Sequence, residues 1–222
     1  MSEEGMDFRA TRDIDLVLIL EAMTADFGKR FWEYIVKAGY QHCNKSTGEP
    51  QFYRFSQPLS TEYPSMIELF SRKVDGILLP ESAVLTPLPI DDDISSLSAI
   101  LLDDAYYDFL KSGKLVIDGI TVIGAEYLIP FKAKAWLDLT ERKNNGEQID
   151  SKNIRKHKND VFRLTELLDS RLNVDTPETI KADMSLFIKL MDNESVDLKQ
   201  IGIAGRSKSD ILDELKKLYS VL

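Results

Sequence analysis

An α/β (α+β) fold, a small mixed sheet followed by a C-terminal helical bundle, is predicted by three observations. A continuous run of branched apolar residues occupies 14–20 (IDLVLIL), an Asp-Gly dipeptide separates two such runs at 115–124 (LVIDGITVIG), and the pattern turns helical from 125 onward. A chain of 222 residues holds one substantial core, or one core with a smaller satellite bundle. The division is placed at 125/126, giving an α/β domain over 1–125 and a helical domain over 126–222.

The run at 14–20 reads as a strand buried on both faces, and hence as a central strand. Phe27, Phe31, Tyr34, Ile35 and Ala38 recur at helical spacing, with Thr24 as N-cap and Gly39 as the stop. Residues 51–55 and 66–70 suit two strands either side of a loop holding Pro58 and Pro64, and 77–80 suits a further strand or edge. The proline-rich, acidic segment 87–93 (PLPIDDD) reads as a loop, and 105–110 as a short helix closed by Gly113. Asp118-Gly119 fits a type I′ turn, and the hairpin it makes is expected to close the sheet region.

Four helices are predicted beyond it, over 127–143, 152–168, 177–191 and 211–221. Thr176 stands as N-cap of the third, with Pro177 at its first helical position. Ile180, Met184, Phe187, Ile188 and Met191 mark its buried face.

Composition removes several function classes. Cys43 is the single cysteine, so no internal disulfide forms and no thiolate cluster is available to a metal. His42 and His157 alone do not make a zinc site. No apolar run reaches the ~18 residues that span a bilayer, and the acidic N-terminus has no secretory h-region, so a cytoplasmic location without membrane contact is expected. A net charge of −9 argues against broad adhesion to nucleic acid, which depends on neutralising many phosphates. Arg155, Lys156, His157 and Lys158 nevertheless form a dense basic patch, suited either to an RNA backbone or to a solvated helix face.

Asp13 and Asp15 lie two apart at a strand start, where the period of two points both carboxylates to one face. Carboxylates so placed repel unless a cation lies between them, and Mg²⁺ prefers such oxygen ligands together with substrate phosphates. Glu68 interrupts the apolar segment MIELF with a charge, and on a neighbouring strand it becomes a third carboxylate on that face. Three carboxylates with two metals suffice for phosphoryl or nucleotidyl transfer. The plainer reading is that acids at loop-to-strand junctions cap or solvate the chain, and that a charge in an edge strand points outward.

The string Arg9-Ala10-Thr11-Arg12-Asp13-Ile14-Asp15-Leu16 resembles the Arg-x-Thr-x-Asp-hydrophobic-Asp signature of bacterial nucleotidyltransferase-like proteins of the DNA polymerase beta-like superfamily. The branch it is most similar to is the toxin component of AbiEii-like type IV toxin-antitoxin systems. The resemblance implies a sheet of nucleotidyltransferase type, Mg²⁺ as cofactor, and Asp13, Asp15 and Glu68 as catalytic and metal-binding residues. It also implies a nucleoside triphosphate as substrate. FKAKAWLDL resembles the family's lysine-bearing helix and KHKNDVFRL its later basic-acidic helix, which brings Lys134, Lys158 and Asp160 toward the nucleotide. Arg9 and Arg12 would grip phosphate, although arginines beside aspartates also form simple exposed ion pairs. Lys132, two residues from Lys134 and so about 200° away on a helix, reads as surface.

The sequence departs from the family at its start. The family sets a Gly-Gly or Gly-Ser pair ahead of the aspartates, where backbone amides cradle the triphosphate, whereas eight residues precede Arg9 here and Gly5 is unpaired. The expectation is weak nucleotide binding, feeble activity and an apolar first strand covered by dimerisation or by other segments. Gly202, Gly205 and Arg206 lack the spacing of a P-loop and read as a hinge between helices. Cys43 and His42 read as incidental.

Two functions of different class follow: an Mg²⁺-dependent transferase moving a nucleoside monophosphate to a hydroxyl, or a degenerate member that binds a nucleotide or protein without chemistry. A third reading is a module that binds an antitoxin-like partner through its helical half. RNA, an antitoxin-like protein and a second copy of the chain are the candidate partners.

Overall fold

A computed structural model describes residues 12–42, 51–75, 79, 83–88, 98–169 and 173–221. The fold is mixed α+β, and the chain divides into two compact units, 1–107 and 108–222. Among the described residues no helix is long and apolar enough to cross a membrane.

The first unit contains strands β1 (Asp13–Val17), β2 (Arg54–Ser56), β3 (Met66–Ser71), β4 (Leu85–Pro87) and β5 (Ser98–Leu101) with helix α1 (Ala25–Ala38). They form one mixed sheet in the order β1-β3-β5-β4, with β2 also on β3. β3 runs parallel to β1 and β5 and antiparallel to β2, and β4 is antiparallel to β5. The central position therefore belongs to β3. β1 ends the described sheet, contrary to the reading of 14–20 as a central strand.

The reason is visible in the side chains. Ile14 is 42% exposed and Asp15 is exposed too, and burial deepens only toward Leu18. An unbroken apolar run records the total burial of a segment, not which face is covered. β4 and β5 were not anticipated, since short strands of three and four residues carry too little alternation to read.

α1 keeps the expected ends. The Thr24 hydroxyl accepts a hydrogen bond from the Phe27 amide at 3.2 Å, and Gly39 adopts φ 65° to close the helix. Its Phe31, Ile35 and Ala38 pack against Phe55, Ile67 and Leu69 of the sheet, with the Phe31 and Phe55 rings edge-to-face at 5.3 Å. Only one face of the sheet is covered by α1, so the residues alternating with Ile67 and Leu69 stand on the other.

α2 (Asp104–Ser112) straddles the division of the two units. The second unit holds β6 (Lys114–Ile117), β7 (Ile120–Ile123), α3 (Ala125–Asn144), α4 (Ser151–Leu164), α5 (Glu178–Met191) and α6 (Lys208–Leu218). Asp118 and Gly119 both take positive φ, 50° and 79°, as a type I′ turn demands. β6 and β7 form a separate two-stranded sheet, so the hairpin does not close the five-stranded one. Its strong local turn fixes the pairing of its own strands and says nothing of a third.

The helix core contains Ile129, Ala133 and Trp136 of α3, Val161 and Phe162 of α4, Ile180, Met184 and Phe187 of α5, and Ile211 and Leu215 of α6. α5 starts one residue later than expected. Pro177 is its N-cap at φ −57°, ψ 147°, and the Thr176 hydroxyl donates to the Val174 carbonyl instead of capping. α6 has a capping box that the sequence reading missed, in which Ser207 and Asp210 bond each other's backbone amides. Gly202 and Gly205 lie between α5 and α6 at φ 85° and 76°, in keeping with the hinge reading. The segment 77–80, apart from Leu79, and residues 89–93 of the expected loop lie outside the described residues.

Candidate functional site

β1 and β3 pair in parallel with Asp13 opposite Met66, Ile14 opposite Ile67, Asp15 opposite Glu68 and Leu16 opposite Leu69. Residues in register share a face, and alternation puts Asp13 on that of Asp15. Asp13, Asp15 and Glu68 thus lie on one face of the sheet, with Ile67 and Leu69 turned the other way into the core beneath α1. The ladder is extended at both ends, where the Ser65 amide donates to Arg12 O at 2.6 Å and the Leu18 amide to Phe70 O at 2.8 Å. This fixes the register that sets Asp15 beside Glu68.

A fourth charged residue joins the face. Arg54 opposes Glu68 across the antiparallel β2–β3 pair, and its Nε donates to Glu68 Oε1 at 2.7 Å. The three strands therefore carry a row of Asp15, Glu68 and Arg54. Arg54 was not singled out from the sequence, although the signal that found Glu68 was present: in QFYRFS a charge interrupts an aromatic strand.

Mg²⁺ can be tested against this face. Hard carboxylate oxygens on one side of a sheet are the donor chemistry it takes, and Asp13, Asp15 and Glu68 are of that kind. Among the described residues, however, no three of His, Cys, Asp and Glu are already gathered as a ligand group. Glu68 is occupied by Arg54, and Asp13 and Asp15 each have an interaction of their own. The donor set fits in type and face, and completing it requires Glu68 to exchange its arginine for the ion.

The other expected site residues are placed as follows. Arg12 is exposed at the start of β1, while Arg9, Gly5 and Cys43 lie outside the described residues. Lys134, on α3, reaches Asp138 at 3.3 Å and Asp183 of α5 at 3.5 Å. Partial burial works against its charge, but the two carboxylates more than offset this and hold its pKa above the ordinary lysine value.

Lys158 is buried on α4 and bonded to Glu194 Oε2 at 2.6 Å and to the Ser195 carbonyl at 2.9 Å. Asp160, also buried, has Arg163 at 3.6 Å. All three side chains thus have charged partners within the helical unit.

The basic patch 155–158 divides along the helix. Arg155 is exposed and Lys158 buried, and burial, with Lys132 and Lys156 nearby, pushes His157 down to about 4. His157 is therefore neutral near pH 7 and adds no charge to the patch there. His42 packs its ring on Trp32 and Phe52 at 5.8 and 5.5 Å.

Comparison with protein-family models, with curated proteins and with solved structures finds no match to this chain.

Proposed function

We propose that the chain is a nucleotidyltransferase-like protein that moves a nucleoside monophosphate from a triphosphate to a hydroxyl acceptor, with the carboxylate face of β1 and β3 as its site. The single observation supporting this most is the parallel register that sets Asp15 beside Glu68 on the face that also holds Asp13. It gives a reason for three acids in otherwise apolar strands, and two of them, Asp13 and Asp15, carry the resemblance of the Arg9–Leu16 string to the superfamily signature.

In this reading Asp13 and Asp15 would hold Mg²⁺, and Glu68 would complete the set and serve as the base that takes the proton of the attacking hydroxyl. Mg²⁺ bound there would supply charge neutralisation for the leaving pyrophosphate. Arg9 and Arg12, just ahead of the acids in sequence, are candidates for phosphate contacts. A cytoplasmic setting and a role as the toxin of a toxin-antitoxin pair belong to the same proposal.

A second reading is favoured by the Arg54–Glu68 ion pair and by the lack of a ready three-acid group among the described residues. It is a degenerate site that binds a nucleotide or a protein and performs no transfer. Incubation with each α-labelled nucleoside triphosphate and Mg²⁺, using bulk RNA and the protein itself as acceptors, separates the two. Label transfer that Asp15→Asn abolishes is the expected result. Nucleotide binding without transfer supports the binding module, and neither binding nor transfer sinks the transferase and leaves the second reading only its protein-binding form.

A further inference from the structure

Arg54 and Glu68 are an unequal pair. The Glu68 side chain is 14% exposed, whereas that of Arg54 is 46% exposed. A half-buried carboxylate needs a positive partner more than an exposed guanidinium needs a negative one. The pair is also in register on neighbouring strands, so Glu68 lies between Asp15 on one side and Arg54 on the other. Without Arg54, Glu68 and Asp15 would be adjacent like charges on one face, an arrangement that destabilises a sheet.

Any divalent cation shared by Glu68 and the aspartates must compete with the guanidinium for the same oxygens, and two cations crowded on one carboxylate repel each other. Rotation about the exposed Arg54 side chain is enough to release Glu68 without moving the backbone ladder. A guanidinium displaced in this way stays on the carboxylate face, where its planar fork suits phosphate oxygens.

We infer that Arg54 is a positioning residue of this face: it neutralises Glu68 while no divalent cation is bound, yields Glu68 when one binds, and is then free to meet the phosphates of the substrate. The inference rests on the proposed transferase reading of the site.

The test uses the full chain and probes that need no knowledge of the base. Free Mn²⁺ is titrated by electron paramagnetic resonance, and binding of inorganic triphosphate with Mg²⁺ is followed by calorimetry. Wild type, Arg54→Gln, Arg54→Lys, Glu68→Gln and the Arg54→Gln/Glu68→Gln double variant are compared. Arg54→Gln is expected to bind Mn²⁺ about fivefold tighter, the equivalent of removing one ion pair of ordinary strength. It is expected to bind Mg²⁺-triphosphate more weakly by about tenfold. The double variant loses the gain in Mn²⁺ affinity, and Arg54→Lys falls between wild type and Arg54→Gln on both measurements. A merely structural role for Arg54 would lower both affinities together.

Equal or weaker Mn²⁺ binding by Arg54→Gln, with wild type binding measurably, overturns the inference and leaves the site reading intact. Tighter Mn²⁺ binding with unchanged triphosphate affinity overturns the transfer of the guanidinium to phosphate. Failure of every variant to bind Mn²⁺ overturns the metal site along with the inference. Should Arg54→Gln not fold, Arg54→Lys decides by the same signs.

Discussion

Asp15 of β1 stands directly across from Glu68 of β3 in parallel register, so two acids are held about one strand spacing apart, ~4.8 Å between backbones. Like charges directly opposite each other on a sheet face cost stability, on the order of 0.2–1 kcal/mol. Glu68 is paired with Arg54 and Asp15 has an interaction of its own, which offset that cost. The first prediction is that Asp15→Asn leaves stability within about 1 kcal/mol of wild type while, on the proposed transferase reading, reducing nucleotidyl transfer by about a hundredfold or more. Thermal melts with the transfer assay check both parts, and a strongly destabilised Asp15→Asn would show that the aspartate is structural.

That face was largely legible from residue spacing. Asp13 and Asp15 two apart, and Glu68 in the middle of MIELF, placed three carboxylates on strands, and the Asp118-Gly119 turn and the Thr24 and Gly39 helix ends were read correctly because each depends on local backbone chemistry. Some of what escaped the reading was local, as with the Ser207 and Asp210 capping box, but most was non-local. Whether β1 is central or at the edge depends on whether a second strand pairs with its other side, and no residue of 14–20 encodes that. Arg54 carries the same local signal as Glu68, a charge in an apolar strand, but that the two pair across β2 and β3 is not written in either segment. The partners of Lys134 and Lys158, Asp183 and Glu194, come from segments brought near by helix packing and could not be read from the sequence.

His157 provides a pH prediction. Its Nδ1 is buried without a hydrogen-bond partner among the described residues, and burial, then Lys132 and Lys156, bring its pKa down to about 4. A base whose folded pKa lies below the unfolded value of ~6.5 is bound by more protons in the unfolded chain between those values. Its contribution to stability is thus complete above pH ~6.5 and is lost as the pH falls toward about 4. The loss is at most about 3 kcal/mol, and less where solvent still reaches the ring. Urea unfolding at pH 7 and pH 4.5 should show a smaller acid-side loss for His157→Asn than for wild type, and equal losses would mean that His157 is solvated.

Lys158 and Arg155 should separate sharply despite sharing one basic string. Lys158 is held by Glu194 and the Ser195 carbonyl, so Lys158→Met leaves that carbonyl without its donor and should cost about 1–3 kcal/mol. Exposed Arg155→Ala should stay within about 0.5 kcal/mol of wild type. If Lys158→Met proves neutral in denaturant unfolding but weakens binding of triphosphate, the lysine belongs to the nucleotide site after all.

Two glycines at positive φ offer a graded test of the backbone. Gly39 closes α1 at φ 65° and Gly119 turns the hairpin at φ 79°. Both substitutions to alanine place a side chain in the left-handed region, which costs on the order of 1 kcal/mol. Beyond that the sites differ. An added Cβ at Gly119 meets nothing within 4 Å, whereas at Gly39 it would come within 2.4 Å of the Leu59 side chain, closer than atoms can sit. Leu59 is 83% exposed and can swing away, but its amide donates to Ala38 O at 2.9 Å and holds its backbone beside the helix end. Gly119→Ala should therefore cost the conformational term alone, and Gly39→Ala that term plus displacement of Leu59. Denaturant unfolding of both variants and of Gly39→Ala/Leu59→Ala measures the difference. The double variant should recover the steric part and fall to the cost of Gly119→Ala, and a double variant no more stable than Gly39→Ala would place the whole penalty in the backbone.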